Sequence, residues 1–350
     1  MRSPFLLAFG LGSVIVAASL TATVSPTHAQ TTQFVPCSGN NGGAAGLAAA
    51  VNTAQGGVGG TGSGIIQLAP RCTYLFSAPN QGANALPIIT GKISIMGQNS
   101  VIARAANAPV NFRIARVAPG GYLSTYGITI RGGSVGNGAG ILVQGTLSLT
   151  SSRITGNSAS NNGGGFAGAV GSLTLLTNSV VTGNTALQGG GGATGGTIRS
   201  VGSTISDNTA LTNGGGLIIS GAGRLVDTVV TRNRAQNGAG VYLVNGTLNI
   251  GDKSKITRNN ALRNGGGLFI SANSEATVSN SSITENTAGE AGGGIFNDGT
   301  VNLRRAQIAG NTPQNCAGGS PIPQCAQNVT ILVKPGERRG SLHAKHRGRK

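Results

Sequence analysis

The chain has 350 residues, of which 61 are Gly, only 9% are charged and 3% are aromatic, with no Trp. A globular core of large side chains is excluded by that composition, and collagen by the lack of a strict every-third Gly. What remains is a core of Val, Ile, Leu and Ala stacked many times over. The formal charge of +17 favours anionic partners.

Residues 1–29 read as a secretory signal peptide: Arg2, an apolar run over residues 5–24, and a small-residue ending at Thr27-His28-Ala29. No later stretch approaches the roughly 20 apolar residues of a membrane span. Export is therefore expected, to an extracellular or cell-surface location. Without Arg2 the chain holds 24 basic and 8 acidic residues, a charge of +16.

Cys37, Cys72, Cys316 and Cys325 form two sequence pairs. Three pairings exist on paper, and the one that pins each end of the domain joins Cys37 to Cys72 and Cys316 to Cys325. The spacings do not match zinc sites. His28 leaves with the signal, and His343 and His346 sit in the tail, so no metal or other cofactor is expected.

Residues 44–54, AAGLAAAVNTA, predict a short amphipathic helix that caps the first coil, within an N-terminal cap over about 35–90. Residues 64–68, 91–95 and 112–117 predict strands of irregular early coils.

Regular repeats run over about 128–315. They align on Asn157, Asn184, Asn208, Asn233, Asn259, Asn286 and Asn311, with Gly133 as a degenerate first member. The period is about 25 residues, which signals a solenoid. Three residues before each Asn stands a β-branched residue, Ile130, Ile154, Val181, Ile205, Val230, Ile256, Ile283 or Ile308. Two residues after it, from Asn157 to Asn286, stands Ala. The Asn side chains are expected to hydrogen-bond coil to coil in a ladder, with the Asn itself in a left-handed turn.

Gly triplets beginning at Gly163, Gly189, Gly214, Gly265 and Gly292, with the variant Gly238-Ala239-Gly240, mark a tight bend. No Lys-Ser/Thr follows them and no helix opens after them, so they are not phosphate cradles.

A coil of this length with three short strands predicts an all-β, single-stranded, right-handed parallel β-helix of about nine to eleven coils. It would span residues 30–333, be about 50 Å long at the strand spacing, and be closed by residues 316–333. Residues 334–350, rich in Lys and Arg, predict a disordered basic tail.

The T-G-N-T-A and G-G-G-[ILF] repeats resemble those of bacterial secreted parallel β-helix proteins of the pectin-lyase-like superfamily, and are similar to those of polymorphic outer-membrane adhesins. The resemblance covers roughly residues 35–333. It implies the fold, and implies either a polysaccharide lyase or hydrolase or a passive surface protein.

Acid chemistry on sugars needs two carboxyl groups at about 5 to 9.5 Å. No acid precedes Asp207. Asp207 and Glu285 occupy one column, next to the ladder, three coils apart and so about 14 Å from each other. Asp227 and Asp252, on neighbouring coils with Lys253 and Lys255 nearby, are the candidate acids of an enzymatic alternative.

After each triplet the second strand position points outward. On four successive coils it is Ile218, Tyr242, Phe269 and Phe296. This apolar stripe is the candidate face for stacking sugars or docking a partner. Thr155, Thr182, Ser206, Thr231, Thr257 and Thr284 read as ordinary strand residues.

The expected protein is a monomeric, non-enzymatic, adhesin-like binding or structural module. Its partners would be acidic polysaccharide, cell-wall polymer or a surface protein. Nucleic acid is not expected, because the basic residues are not interleaved with aromatics.

Overall fold

The computed structural model describes residues 31–323 and Cys325. The expected signal peptide, residues 326–333 of the expected closing segment and the basic tail lie outside the described residues.

Within residues 31–323 the chain winds into a parallel β-helix of about 10 turns. Each regular coil contributes four strands, as in Thr146–Thr150, Arg153–Thr155, Ser158–Ala159 and Phe166–Gly168. The first two belong to one assembly of nineteen strands, the third to a sheet of seven and the fourth to a sheet of nine. In the early coils the first two are not yet separated: Lys92–Arg104 and Tyr122–Arg131 each run through as one strand, with a register shift between Met96 and Ser100.

The repeat columns are in register. Ile154 pairs with Val181, Val181 with Ile205 and Ile205 with Val230, and the column continues to Ile308. These side chains are between 0% and 8% exposed. Burial of each stabilises the fold by about 1.5–3 kcal/mol relative to exposure. The Ala column stacks separately, with Ala210, Ala235, Ala261 and Ala288 in one cluster and Ala159 and Ala186 in another.

Three corners of the coil are left-handed. One is the first Gly of each triplet, such as Gly214 at φ +69°. A second precedes each ladder Asn: Gly156, Gly183, Asp207, Arg232, Arg258, Glu285 and Gly310 all have positive φ. The expectation that the Asn itself is left-handed is thus corrected by one residue. The Asn amide bonds back to the carbonyl two residues earlier, as in Asn157 to Thr155, so the reversal falls on the residue between them. The third corner divides the five-residue from the three-residue strands and holds Gly127, Ser151, Asn178, Gly202, Asp227, Asp252 with Lys253, Asn280 and Arg305.

The helix Ala44–Ala54 packs its Leu47 and Val51, both fully buried, against the strands Thr31–Val35, Ser63–Leu68 and Thr73–Phe76. Buried Tyr74 ties the first strand down: its hydroxyl donates to Val35 O at 2.7 Å and accepts from Ala69 N at 2.9 Å. Burial raises its pKa, an effect that the Ala69 hydrogen bond opposes. The disulfides join Cys37 to Cys72 and Cys316 to Cys325, with Cα separations of 5.7 and 6.3 Å. Of the strands expected in the early coils, 112–117 is shorter than expected, ordering as Ala115–Val117. No helix among the described residues is long and apolar enough to cross a membrane.

Candidate functional site: an aromatic ridge beside an open groove

The ladder Asn residues are architecture. Asn184 Nδ2 donates to Asn208 Oδ1 at 3.0 Å and to Ile154 O on the preceding coil at 3.1 Å, while its backbone N–H donates to the same Asn208 Oδ1 at 3.0 Å. The same three bonds recur at each ladder Asn from Asn157 to Asn286. At Asn311 the acceptor is Asn315, four residues on and not a coil away. All seven are between 0% and 5% exposed, and each buried amide left unpaired would cost about 1–3 kcal/mol.

The outward columns vary in chemical character along the axis. On the nine-stranded sheet one such column runs Arg116, Leu142, Ala167, Ala193, Ile218, Tyr242, Phe269, Phe296. The ring-bearing positions lie between two inward, buried neighbours, as Phe269 does between Leu268 and Ile270. Tyr242 and Phe269 stack with centroids 4.6 Å apart and planes 11° from parallel, and Phe269 and Phe296 with 4.9 Å and 20°. The coil repeat matches the separation of stacked rings, so the sheet itself spaces the ridge. The rings shield one another and stay half-buried. Burial, together with the charge of Asp298, raises the Tyr242 pKa.

Where the column carries Ala167 and Ala193 the surface drops into an open groove of about 590 Å³, with Leu142 and Ile218 at its ends. Its polar edge carries Asn137, Asn162 and Gln188. They belong to a row of amides just before the glycine bends, continued by Asn213, Asn237 and Asn264, ended by Ala291, and partly bonded along the axis, as in Asn237 to Asn213 at 3.1 Å. Arg113 closes one end. Its Nη1 donates to Asn84 Oδ1 and its Nη2 to Asn137 O, while its Nε is buried without a partner. Arg116 donates from Nε to Gln144 Oε1 at 2.9 Å. Burial first, and then the charge of Arg116, lowers the Arg113 pKa.

A second groove, also about 590 Å³, follows the ladder corner and is lined by Asp207, Arg232, Arg258 and Glu285. Here Asp207, Arg232, Arg258 and Glu285 are paired, while Arg234, also in the lining, has no carboxylate partner among the described residues. Arg232 binds Asp207 through two bonds of 2.7 and 2.9 Å, and Arg258 binds Glu285 at 2.7 Å. The Arg232 hydrogen bonds hold the Asp207 carboxyl below its ordinary range, and Asp207 raises Arg232 in turn.

Asp227 and Asp252 do meet on neighbouring coils, with Asp227 N donating to Asp252 O at 2.9 Å. Both are exposed, and both occupy the left-handed corner that other coils fill with Ser151, Asn178, Gly202 or Asn280. Short polar residues tolerate that conformation, which accounts for Asp at both positions without any chemistry. Among the described residues no three His, Cys, Asp or Glu side chains gather as a metal site.

The fold and the ridge define a parallel β-helix with one decorated face. Comparison of the chain with protein-family models, with curated proteins and with solved structures found no match.

Proposed function

We propose that the protein is a secreted, non-enzymatic β-helix that binds extended glycan chains along its nine-stranded sheet, in the manner of a surface adhesin module. One observation carries this reading. Tyr242, Phe269 and Phe296 stack in register on successive coils beside an open groove edged with side-chain amides. Flat apolar rings receive the C–H faces of sugars, and amides exchange hydrogen bonds with their hydroxyls, the combination of an apolar platform with a few convergent polar groups that ligand sites use. The two disulfides fit an oxidising, extracellular setting. The repeat resemblance to secreted pectin-lyase-like and adhesin β-helices supports the same location.

The test is binding of the purified protein to a panel of neutral and acidic polysaccharides by affinity electrophoresis. Retardation that is lost in Tyr242→Ala and Phe269→Ala but kept in Asp252→Asn is the expected result. Release of sugar fragments that Asp252→Asn abolishes would overturn it in favour of a lyase or hydrolase.

A further inference from the structure

The charge distribution along the axis is uneven. The chain contains no Asp or Glu before Asp207, so among the described residues the coils that carry Arg113 and Arg116 have no carboxylate within reach. The first acid lies four coils beyond Arg113, about 19 Å along the axis at the strand spacing. Two like charges are nevertheless held together and half-buried at the head of the groove. Each is fixed by neutral acceptors only: Asn84 and Asn137 for Arg113, Gln144 for Arg116. Buried charges in folded proteins are paired, and a pair of guanidinium groups that repel each other costs stability with no visible return within the chain. The unpartnered, buried Nε of Arg113 sharpens the imbalance.

Three other arginines differ. Arg232, Arg258 and Arg263 are each neutralised by an acid on an adjacent coil. At the head of the ridge-sheet groove Arg113 lines the cavity with neutral partners only, and Arg116 stands three residues further on in the outward column. Arg116 is in register with Leu142 at the groove's end, and the same outward column leads over Ala167 and Ala193 to Ile218 and the rings.

We infer that Arg113 and Arg116 form the binding site for a carboxylate of an acidic glycan, whose following sugars cross the alanine floor toward Tyr242. This rests on the glycan-face reading and deepens it by naming the ligand class and its direction. Guanidinium forks match planar carboxylates, and the partly buried setting weakens competition from water. From Arg116 to Tyr242 is five coils, about 24 Å, so the track accommodates several sugars of an extended chain.

The experiment compares a hexameric oligogalacturonate with its methyl ester by isothermal titration calorimetry. The two differ at the carboxyl groups alone, which are anionic in one and neutral methyl esters in the other. Wild-type protein should prefer the acid form by at least about tenfold, the scale of one charge-assisted contact. In Arg116→Gln the preference should fall to within about threefold, and Arg113→Lys, which keeps the charge but loses the fork, should reduce it partway. Thermal unfolding of each variant verifies that it is folded. Equal affinity of wild type for both forms, or a preference unchanged in both variants, overturns the anion site. If both forms bind equally and Phe269→Ala abolishes both, the glycan face stands and only the anion site falls. If neither form nor cellohexaose binds, the face itself fails, and the site with it.

Discussion

Asn233 Nδ2 lies 2.9 Å from Asn259 Oδ1, and the same oxygen accepts the Asn233 backbone N–H at 3.0 Å. One side-chain oxygen thus satisfies two donors of the preceding coil, while Asn233 Oδ1 does the same for Asn208. Asn233→Ala removes the acceptor that serves both Asn208 donors and leaves Asn259 Oδ1 with one donor fewer. A loss of about 3–5 kcal/mol is expected from two to three buried groups at 1–3 kcal/mol each. Exposed Asn249→Ala should cost less than about 0.5 kcal/mol. Urea denaturation of the two variants measures the contrast.

Gly214 and Gly156 are both left-handed, at φ +69° and +62°. A Cβ on Gly214 would come within 2.5 Å of Leu217 O, whereas one on Gly156 would meet nothing within 4 Å. Gly156→Ala therefore carries only the backbone strain, about 1–2 kcal/mol. Gly214→Ala adds a clash with backbone and should cost about 1–3 kcal/mol more. Equal destabilisation of the two would show that conformation alone decides these corners.

Phe269 is sandwiched between two rings and Phe296 touches one. At about 0.5–1.5 kcal/mol per stacked pair, Phe269→Ala should cost more than Phe296→Ala, and both less than the roughly 3–5 kcal/mol of the fully buried Phe166. Denaturation midpoints that rank in the order Phe166, Phe269, Phe296 are the expected outcome.

The Asp207–Arg232 pair gives a pH signature. Because Arg232 lowers the Asp207 pKa from 3.8, its stabilisation is complete above that value and disappears as pH falls through the lower, folded one. Both side chains are about half exposed, which keeps the contribution within about 1 kcal/mol. The stability difference between wild type and Asp207→Asn should be constant from pH 7 to about pH 5 and shrink below pH 3.8. A difference that persists in strong acid would mean that the ion pair is not its source.

The periodic part of the molecule was legible in the sequence because stacking makes each column answer to one physical demand. Ile154 and its successors need burial, Ala159 and its successors need smallness, and counting from the triplets locates Tyr242, Phe269 and Phe296 in one column. The left-handed corner was misplaced by one residue, since Asn has the propensity while the ladder requires its side chain elsewhere. Asp227 and Asp252 looked chemical because carboxylates are scarce, although their column also holds Ser, Asn and Gly. Arg113 and Arg116 are neighbours in the sequence but come from coils without the repeat, where no register existed to place them at the head of the groove. The groove was silent, because Ala167 and Ala193 create it by being small.

Asn315 has a consequence for assembly. A ladder whose final donors awaited an acceptor from a further coil would present a template at its end, and a second molecule could continue it into a fibre. Asn315 bends back from the same coil and takes the place of that missing neighbour, bonding both the N–H and the Nδ2 of Asn311. A repeat that could be extended indefinitely is given a full stop by a single residue, and the ladder's length is set within one chain.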